Sequence, residues 1–96
     1  MAFNDKYLTC IGDIGTTKPN IWVYKTDDAA ATVDTSGYFP VGYGFKVGDV
    51  ILRVTVTNLG LSNEAASTAG WHLVMTASST AVDVADTTAL TVTNTD

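Results

Sequence analysis

The sequence predicts a mainly β fold: one small antiparallel sheet, barrel-like or a sandwich, with one short helix and an extended N-terminal arm. The first observation is length, because a chain of 96 residues has room for a single core. The second is the abundance of threonine and valine, whose β-branched side chains favour pleated strands. The third is the segment DVILRVTVT, residues 49–57, whose composition is typical of a strand. Since so small a core gives marginal stability, we also expect self-association.

The N-terminal segment, residues 1–20, is predicted to be an arm, and residues 21–96 are predicted to be a single β-rich domain. The apolar residues of the arm, among them Phe3 and Tyr7, are irregularly spaced, and glycines and a proline interrupt them. An arm of this kind can lie across a neighbouring subunit. Phe3 and Tyr7 are therefore candidate contacts.

A first strand is predicted for residues 21–25, with Trp22 and Tyr24 on one side of it. The segment TDDAAATVD that follows has the composition of a short helix. Thr26 or Asp27 is its predicted cap, because either side chain can accept hydrogen bonds from the first exposed amides. Acidic residues in the first turn also suit the helix dipole.

Three aspartates in this stretch, Asp27, Asp28 and Asp34, raise the question of a metal site. Calcium loops need oxygen ligands at alternating positions, whereas this segment has alanines where those ligands belong. Helix capping explains two of the aspartates without an ion. We therefore expect no metal, and replacement of Asp27 or Asp28 is expected to cost about 1 kcal/mol of helix stability.

The segment 49–57 predicts a strand with one face in the core and the other toward solvent or a partner. The residues predicted to face the core are Val50, Leu52, Val54 and Val56. Those predicted to face outward are Ile51, Arg53, Thr55 and Thr57. On this assignment Arg53 is an exposed candidate contact.

Three further strands are predicted in the C-terminal half, at residues 71–77, 80–84 and 89–93. Residues 58–70 are predicted to be a loop, with one helical turn near residues 64–66 as an alternative. The connection YFPVGYGFKVGD alternates aromatic residues with glycines and is predicted to be a structural loop held against the sheet.

The ionisable side chains form no predicted catalytic or cofactor site. His72 has no second ligand or acid beside it in sequence, so a half-buried structural role is expected. Cys10 is the single cysteine, which leaves no intrachain disulfide and no cysteine-based zinc site. A thiol nucleophile and base formed by Cys10 and His72 is a remote alternative, because an arm would hold their geometry poorly. We expect neither enzymatic activity nor a cofactor.

Charge and hydropathy bear on the partners. Ten acidic and five scattered basic residues give a net charge of −5, whereas nucleic-acid binding needs clustered lysine and arginine. No apolar run approaches the ~18 to 20 residues that cross a bilayer. We therefore expect no nucleic acid and no membrane. Only 16% of the residues are charged, which favours a surface that contacts other proteins.

The aromatic residues admit two uses. Some must fill the core, since a small sheet needs large side chains. An exposed subset would instead contact a protein or stack on a sugar, with Tyr43, Phe45 and Trp71 as candidates. Together with the residues named above, the candidate protein contacts are Phe3, Tyr7, Tyr43, Phe45, Arg53 and Trp71.

Three short motifs in residues 20–56 give the chain a resemblance. They are W-x-Y-x-T-x-D-A at Trp22 to Ala29, A-x-V-D-x-x-x-Y-F at Ala31 to Phe39, and F-K-V-G-D-V-I at Phe45 to Ile51. In this order they resemble small virion proteins of tailed bacteriophages that decorate or cement the capsid.

The resemblance implies a capsid decoration protein that binds the shell of the major capsid protein and stabilises the head. It also implies a homo-oligomer, with a trimer favoured, that is made in the host cytoplasm and is located on the outer surface of the virion. The alternative is a receptor-binding or glycan-binding module of a virion or cell surface, with Tyr43, Phe45 or Trp71 as a stacking platform.

Overall fold

A computed structural model describes residues 3–12 and 17–91 of the chain. In this part of the chain six strands form one mixed sheet that does not close on itself. The elements in chain order are a 3-10 turn at Asp5–Tyr7, β1 at Leu8–Ile11, β2 at Ile21–Thr26, helix α1 at Ala30–Val33, β3 at Val50–Thr57, β4 at Ala65–Ala77, β5 at Val82–Val84 and β6 at Thr88–Leu90. The mainly β class and the single short helix are confirmed.

The strand order is β1-β2-β3-β4-β5, and β6 also pairs with β4. All pairs are antiparallel except β2 with β3, which run parallel. A parallel pair needs a crossover, because the chain must return to the end at which the first strand began. Here residues 27–49 make that crossover, and they bury Val33, Phe39 and Phe45 against one face of the sheet.

The described part of the predicted arm is integrated into the sheet. Strand β1 pairs with β2, with Leu8 opposite Tyr24 and Ile11 opposite Ile21. The ring of Phe3 stacks on that of Tyr24, with 5.3 Å between the ring centroids. These contacts lie within the chain, so residues 3–12 form an edge of its own sheet. Other parts of the predicted arm, residues 1–2 and 13–16, lie outside the described residues.

The predicted capping of the helix is wrong. Strand β2 continues through Thr26, which pairs with Thr55, so the helix begins only at Ala30. Its N-cap residue is Ala29, which makes no side-chain capping bond. The hydroxyl of Thr26 instead accepts a hydrogen bond from the backbone N–H of Asp28 at 3.0 Å, in the turn that precedes the helix.

Asp28 has a different role from the one predicted. Its carboxylate is buried and accepts a hydrogen bond of 2.6 Å from the Tyr38 hydroxyl. The backbone carbonyl oxygen of Asp28 accepts a second hydrogen bond, 2.7 Å long, from the hydroxyl of Thr55. Burial and the bond to Asp28 raise the pKa of Tyr38, which keeps this phenol a donor. Asp28 therefore ties the crossover to β3, whereas Asp27 is exposed.

The predicted faces of β3 are reversed over most of the strand. Ile51 and Arg53 are 0% and 1% exposed, respectively, and both lie beneath the crossover. The alternate side chains at Val50, Leu52 and Val54 are only half-buried and point the other way. The prediction that Arg53 is exposed is therefore wrong.

The C-terminal strands differ from prediction mainly in their bounds. Strand β4 begins at Ala65 rather than at residue 71, because its first half pairs with the end of β3. Residues 65–70 are thus strand, and the predicted loop is confined to residues 58–64. The prediction for residues 92–93 lies outside the described part of the chain.

Candidate protein-interaction face

The sheet has two faces of opposite character. The covered face lies beneath the crossover and consists of Trp22, Tyr24 and Thr26 on β2, Ile51, Arg53 and Thr55 on β3, and His72 and Val74 on β4. The open face lies on the other side and consists of Ile11 on β1, Ile21 and Val23 on β2, Val50, Leu52 and Val54 on β3, Trp71, Leu73 and Met75 on β4, and Leu90 on β6. These ten side chains are apolar, and Thr9, Lys25 and Thr88 lie on the same side of the sheet at the margin of this face.

Strand register arranges the open face in rows across the sheet. Ile11, Ile21, Val50 and Leu73 form one row. Val23, Leu52 and Trp71 form the next row, with Thr9 and Thr88 at its two ends. Val23, Val50, Leu52 and Val54 at the centre are half-buried, whereas Leu73 is 44% exposed and Ile11 is 60% exposed. The result is a contiguous apolar surface, which in a water-exposed protein marks an interaction site.

An ion pair between Lys25 and Glu64 lies at one end of the open face. The Lys25 ammonium bonds to the Glu64 carboxylate at 2.9 Å and lies 5.5 Å from the centre of the Tyr7 ring. The backbone N–H of Gly60 also donates to Glu64 at 2.9 Å, and these bonds lower the pKa of Glu64. The charge of Lys25 is thus already paired at the rim.

The covered face contains the polar groups. The Nε of Arg53 donates to Nε2 of His72 at 3.1 Å. One terminal nitrogen of Arg53 donates to the hydroxyls of Thr55 and Thr68, and the other donates to that of Thr87 at 3.4 Å. Burial of a guanidinium without hydrogen-bond partners would cost several kcal/mol, and here the ring of His72 and the threonine hydroxyls supply those partners.

His72 is neutral in this arrangement. Because Nε2 accepts from Arg53, the proton of the ring lies on Nδ1, which donates to the carbonyl oxygen of Ala85 at 2.9 Å. Burial lowers the pKa of His72, and the nearby charge of Arg53 lowers it further. Asp34 and Asp86 lie close enough to act on this ring electrostatically, and burial together with Asp86 raises the pKa of Asp34.

Asp49 is the second buried polar centre, where the crossover meets the sheet. Its carboxylate accepts bonds from the backbone N–H of Asn20 at 2.9 Å and from Nε1 of Trp22 at 3.0 Å. The backbone N–H and ammonium of Lys46 donate to it at 3.1 and 3.2 Å. Burial opposes ionisation, but these bonds outweigh it and lower the pKa of Asp49. Asp49 therefore holds the crossover in place as an anion.

The six predicted contact residues do not form one site. Trp71 lies on the open face, and Tyr7 lies at its rim over Lys25. Phe45 is buried against Trp22 on the covered side, with 4.3 Å between ring centroids. The remaining residues are on that side as well: Phe3 and Tyr43, whose rings contact each other, and Arg53. Tyr43, Phe45 and Trp71 are thus divided between opposite faces and share no stacking platform.

Sequence reasoning missed most of the open face. It placed Val50, Leu52 and Val54 in the core and did not single out Leu73 or Ile21. One signal was present: the run VILRVTV is apolar on both sides of the strand apart from Arg53 and a threonine. Strands that are covered on both faces have this composition.

The described residues contain no pocket, and no group of three or more metal-ligating side chains is placed to hold a metal ion. Within the same part of the chain, no helix has the length and apolar character needed to cross a membrane. The open face is therefore the feature with the strongest physical reason to engage a partner.

Comparisons with family models, with curated proteins and with solved structures give no match for this chain. The resemblance of residues 20–56 to capsid decoration proteins remains a prediction that depends on the quoted motifs.

Proposed function

We propose that this chain is a capsid decoration protein of a tailed bacteriophage, which binds the shell of major capsid protein subunits and stabilises the head. It acts as a homo-oligomer, with a trimer favoured, on the outer surface of the virion after synthesis in the host cytoplasm. The observation that supports this proposal is the open face: ten apolar side chains on one side of a sheet in a chain otherwise small and acidic.

Exposed apolar surface of this kind is costly for an isolated protein and useful for one that assembles. Burial of apolar surface contributes about 25 cal/mol per Å². A homo-oligomer buries such surface between its copies. A decoration protein then repeats its contacts with the shell at many positions, so a modest free energy at each position adds up over the whole particle.

The polar residues support a structural role over a catalytic one. Arg53, His72 and Asp49 are buried, and their side-chain hydrogen bonds are made to other parts of the chain. They fix the crossover and the C-terminal strands to the sheet. The proposal accordingly includes no enzymatic activity and no cofactor.

The test is binding to capsids. The purified protein is mixed with empty heads of a candidate phage that lack their decoration protein, and bound protein is measured by co-sedimentation. Expected results are saturable binding at a fixed ratio to the major capsid protein and a higher temperature of head disruption. Absence of binding to heads from the phage that encodes this chain would contradict the proposal.

A further inference from the structure

We infer that the open face is the contact between copies of this chain, with the open face of a second copy packed against it. The inference rests on the proposed function in one respect, that the protein acts through protein contacts and as a homo-oligomer. It adds the surface that joins the copies, and it assigns capsid binding to other surfaces.

Charge favours a second copy as the occupant. The chain has a net charge of −5, so two copies repel each other in most orientations. The open face has no acidic residue among its ten side chains. At its rim, Lys25 and Glu64 already neutralise each other. Contact through this face therefore keeps the acidic residues of the two copies apart, and it leaves no unpaired charge in the interface.

The size of the face suits such a contact. Four or five strands lie side by side, and a strand spacing of about 4.8 Å with a rise of about 3.3 Å per residue gives a flat area of roughly 500 Å². Protruding side chains raise the accessible area toward the approximately 800 Å² per partner that is usual in stable complexes. Two faces of this size bury enough apolar surface for a specific dimer contact.

The geometry is that of a β-sandwich divided between two molecules. Flat apolar sheets pack face to face with their strands rotated by about 30°, and their side chains interdigitate. The central row places Trp71 beside Leu52 and Val23, where an aromatic anchor contributes most to binding. Because the same surface is used on both copies, this contact is twofold, so it joins copies in pairs and predicts a dimer in place of the favoured trimer.

The test uses three variants of the full chain. Leu73→Lys puts a charge on the open face at a position that is 44% exposed, where folding tolerates it. Leu52→Thr reduces the apolar surface at the centre of the face and introduces a β-branched residue, which strands favour. Leu61→Lys is the matched control, because Leu61 is 62% exposed and lies in the loop between β3 and β4.

The oligomeric mass is measured by analytical ultracentrifugation across a wide concentration range, and circular dichroism verifies that each variant is folded. Expected results are a multiple of the 10.1 kDa chain mass for the natural sequence and for Leu61→Lys. Leu73→Lys is expected to raise the dissociation constant about a hundredfold or more, because the lysine would be buried without a partner. Leu52→Thr is expected to give a smaller increase.

Two outcomes would overturn the inference. One is a natural sequence that stays monomeric at the highest concentration, and the other is a Leu73→Lys variant that associates as strongly as Leu61→Lys. If the monomeric protein still binds capsids and Leu73→Lys abolishes that binding, the face contacts the capsid protein, so the inference and the proposed homo-oligomer fail and the proposed capsid binding stands. If copies associate through the face and capsids are not bound, the inference stands and the proposed function fails.

Discussion

The two faces of this sheet reverse the usual relation between polarity and burial. The covered face contains an arginine, a histidine and two threonines beneath the crossover, whereas the open face presents ten apolar side chains with Thr9, Lys25 and Thr88 at its margin. The buried polar groups are stable because each finds a partner, as the bond between Arg53 and His72 illustrates. The comparison teaches that the path of the connection, and not the polarity of the strand alone, decides which side becomes the core.

The largest effect is expected from Arg53→Ala, which removes the central group of the covered face. The variant leaves a cavity and takes hydrogen-bond partners from His72, Thr55 and Thr68. We expect a loss of about 3 to 5 kcal/mol in the free energy of unfolding, measured by urea denaturation. Lys25→Ala is the control, since its partly exposed ion pair with Glu64 lies at the rim and contributes about 1 kcal/mol. Equal losses for the two variants would show that Arg53 does not organise the covered face.

A somewhat smaller loss is expected from Asp49→Ala. The carboxylate accepts bonds from Asn20, Trp22 and Lys46, so its removal should cost about 2 to 4 kcal/mol. The pKa of Asp49 is lower in the folded protein than in the unfolded chain, so its contribution is present above about pH 4 and is lost as the pH falls below it. Urea denaturation at neutral pH and at pH 3 should therefore show a larger difference at neutral pH.

The control for that variant is Asp27→Ala. Asp27 is exposed and does not cap α1, so we expect a change within about 0.5 kcal/mol. A loss near 1 kcal/mol for Asp27→Ala would instead restore the sequence-based interpretation of this residue as a helix cap.

The next effect tests why glycine occupies position 70 on the covered face, opposite Arg53. A Cβ at this position would overlap the hydroxyl of Thr87 and would lie 2.9 Å from the carbonyl oxygen of Thr88. We expect Gly70→Ala to destabilise the fold by about 1 to 3 kcal/mol in thermal or urea denaturation. The double variant with Thr87→Ala should recover part of that loss, and purely additive losses would refute this explanation.

The smallest effect is the pH dependence introduced by His72. Since its pKa is lowered on folding, the unfolded chain takes up a proton below about pH 6.5 that the folded protein resists. Stability should therefore fall between pH 7 and pH 5, by at most about 1.4 kcal/mol per pH unit. Asp34 titrates in the opposite sense, because its pKa is raised on folding, and it offsets part of this slope at lower pH.

His72→Gln provides the comparison for that slope. Glutamine offers an oxygen to Arg53 and does not titrate, so the slope between pH 7 and pH 5 should flatten in the variant. An unchanged slope would assign the pH dependence to groups other than His72, and not to Asp34, whose raised pKa gives a slope of the opposite sign.

Much of the fold can be predicted from the sequence, because strand formation depends on composition and on the alternation of neighbouring side chains. Composition predicted the β class, and the strand at residues 21–25 lies within β2 with Trp22 and Tyr24 buried on one side as expected. The extent of β4 was not accessible, because residues 65–70 become strand only through pairing with β3. The prediction of the helix cap failed for a similar reason, because Thr26 pairs with β3 and is therefore part of a strand.

The candidate site was accessible only in part. Trp71 was singled out and lies on the open face, whereas Arg53 and Phe45 are buried. The sequence does not show whether a given aromatic or charged residue is buried in the core or exposed at a contact surface. The difference comes from distant partners, such as Thr87 for Arg53 and Trp22 for Phe45.

The amino-acid sequence alone predicts a small β domain with apolar residues on both sides of the strand at residues 49–57. Which side is covered depends on the tertiary fold, because a parallel pair of β2 and β3 requires a crossover, and this one lies over the side that carries Arg53. Side-chain alternation along a strand defines two faces but not which of them is buried. The buried face is selected by contacts between residues far apart in the chain, and here the other, apolar face is left uncovered.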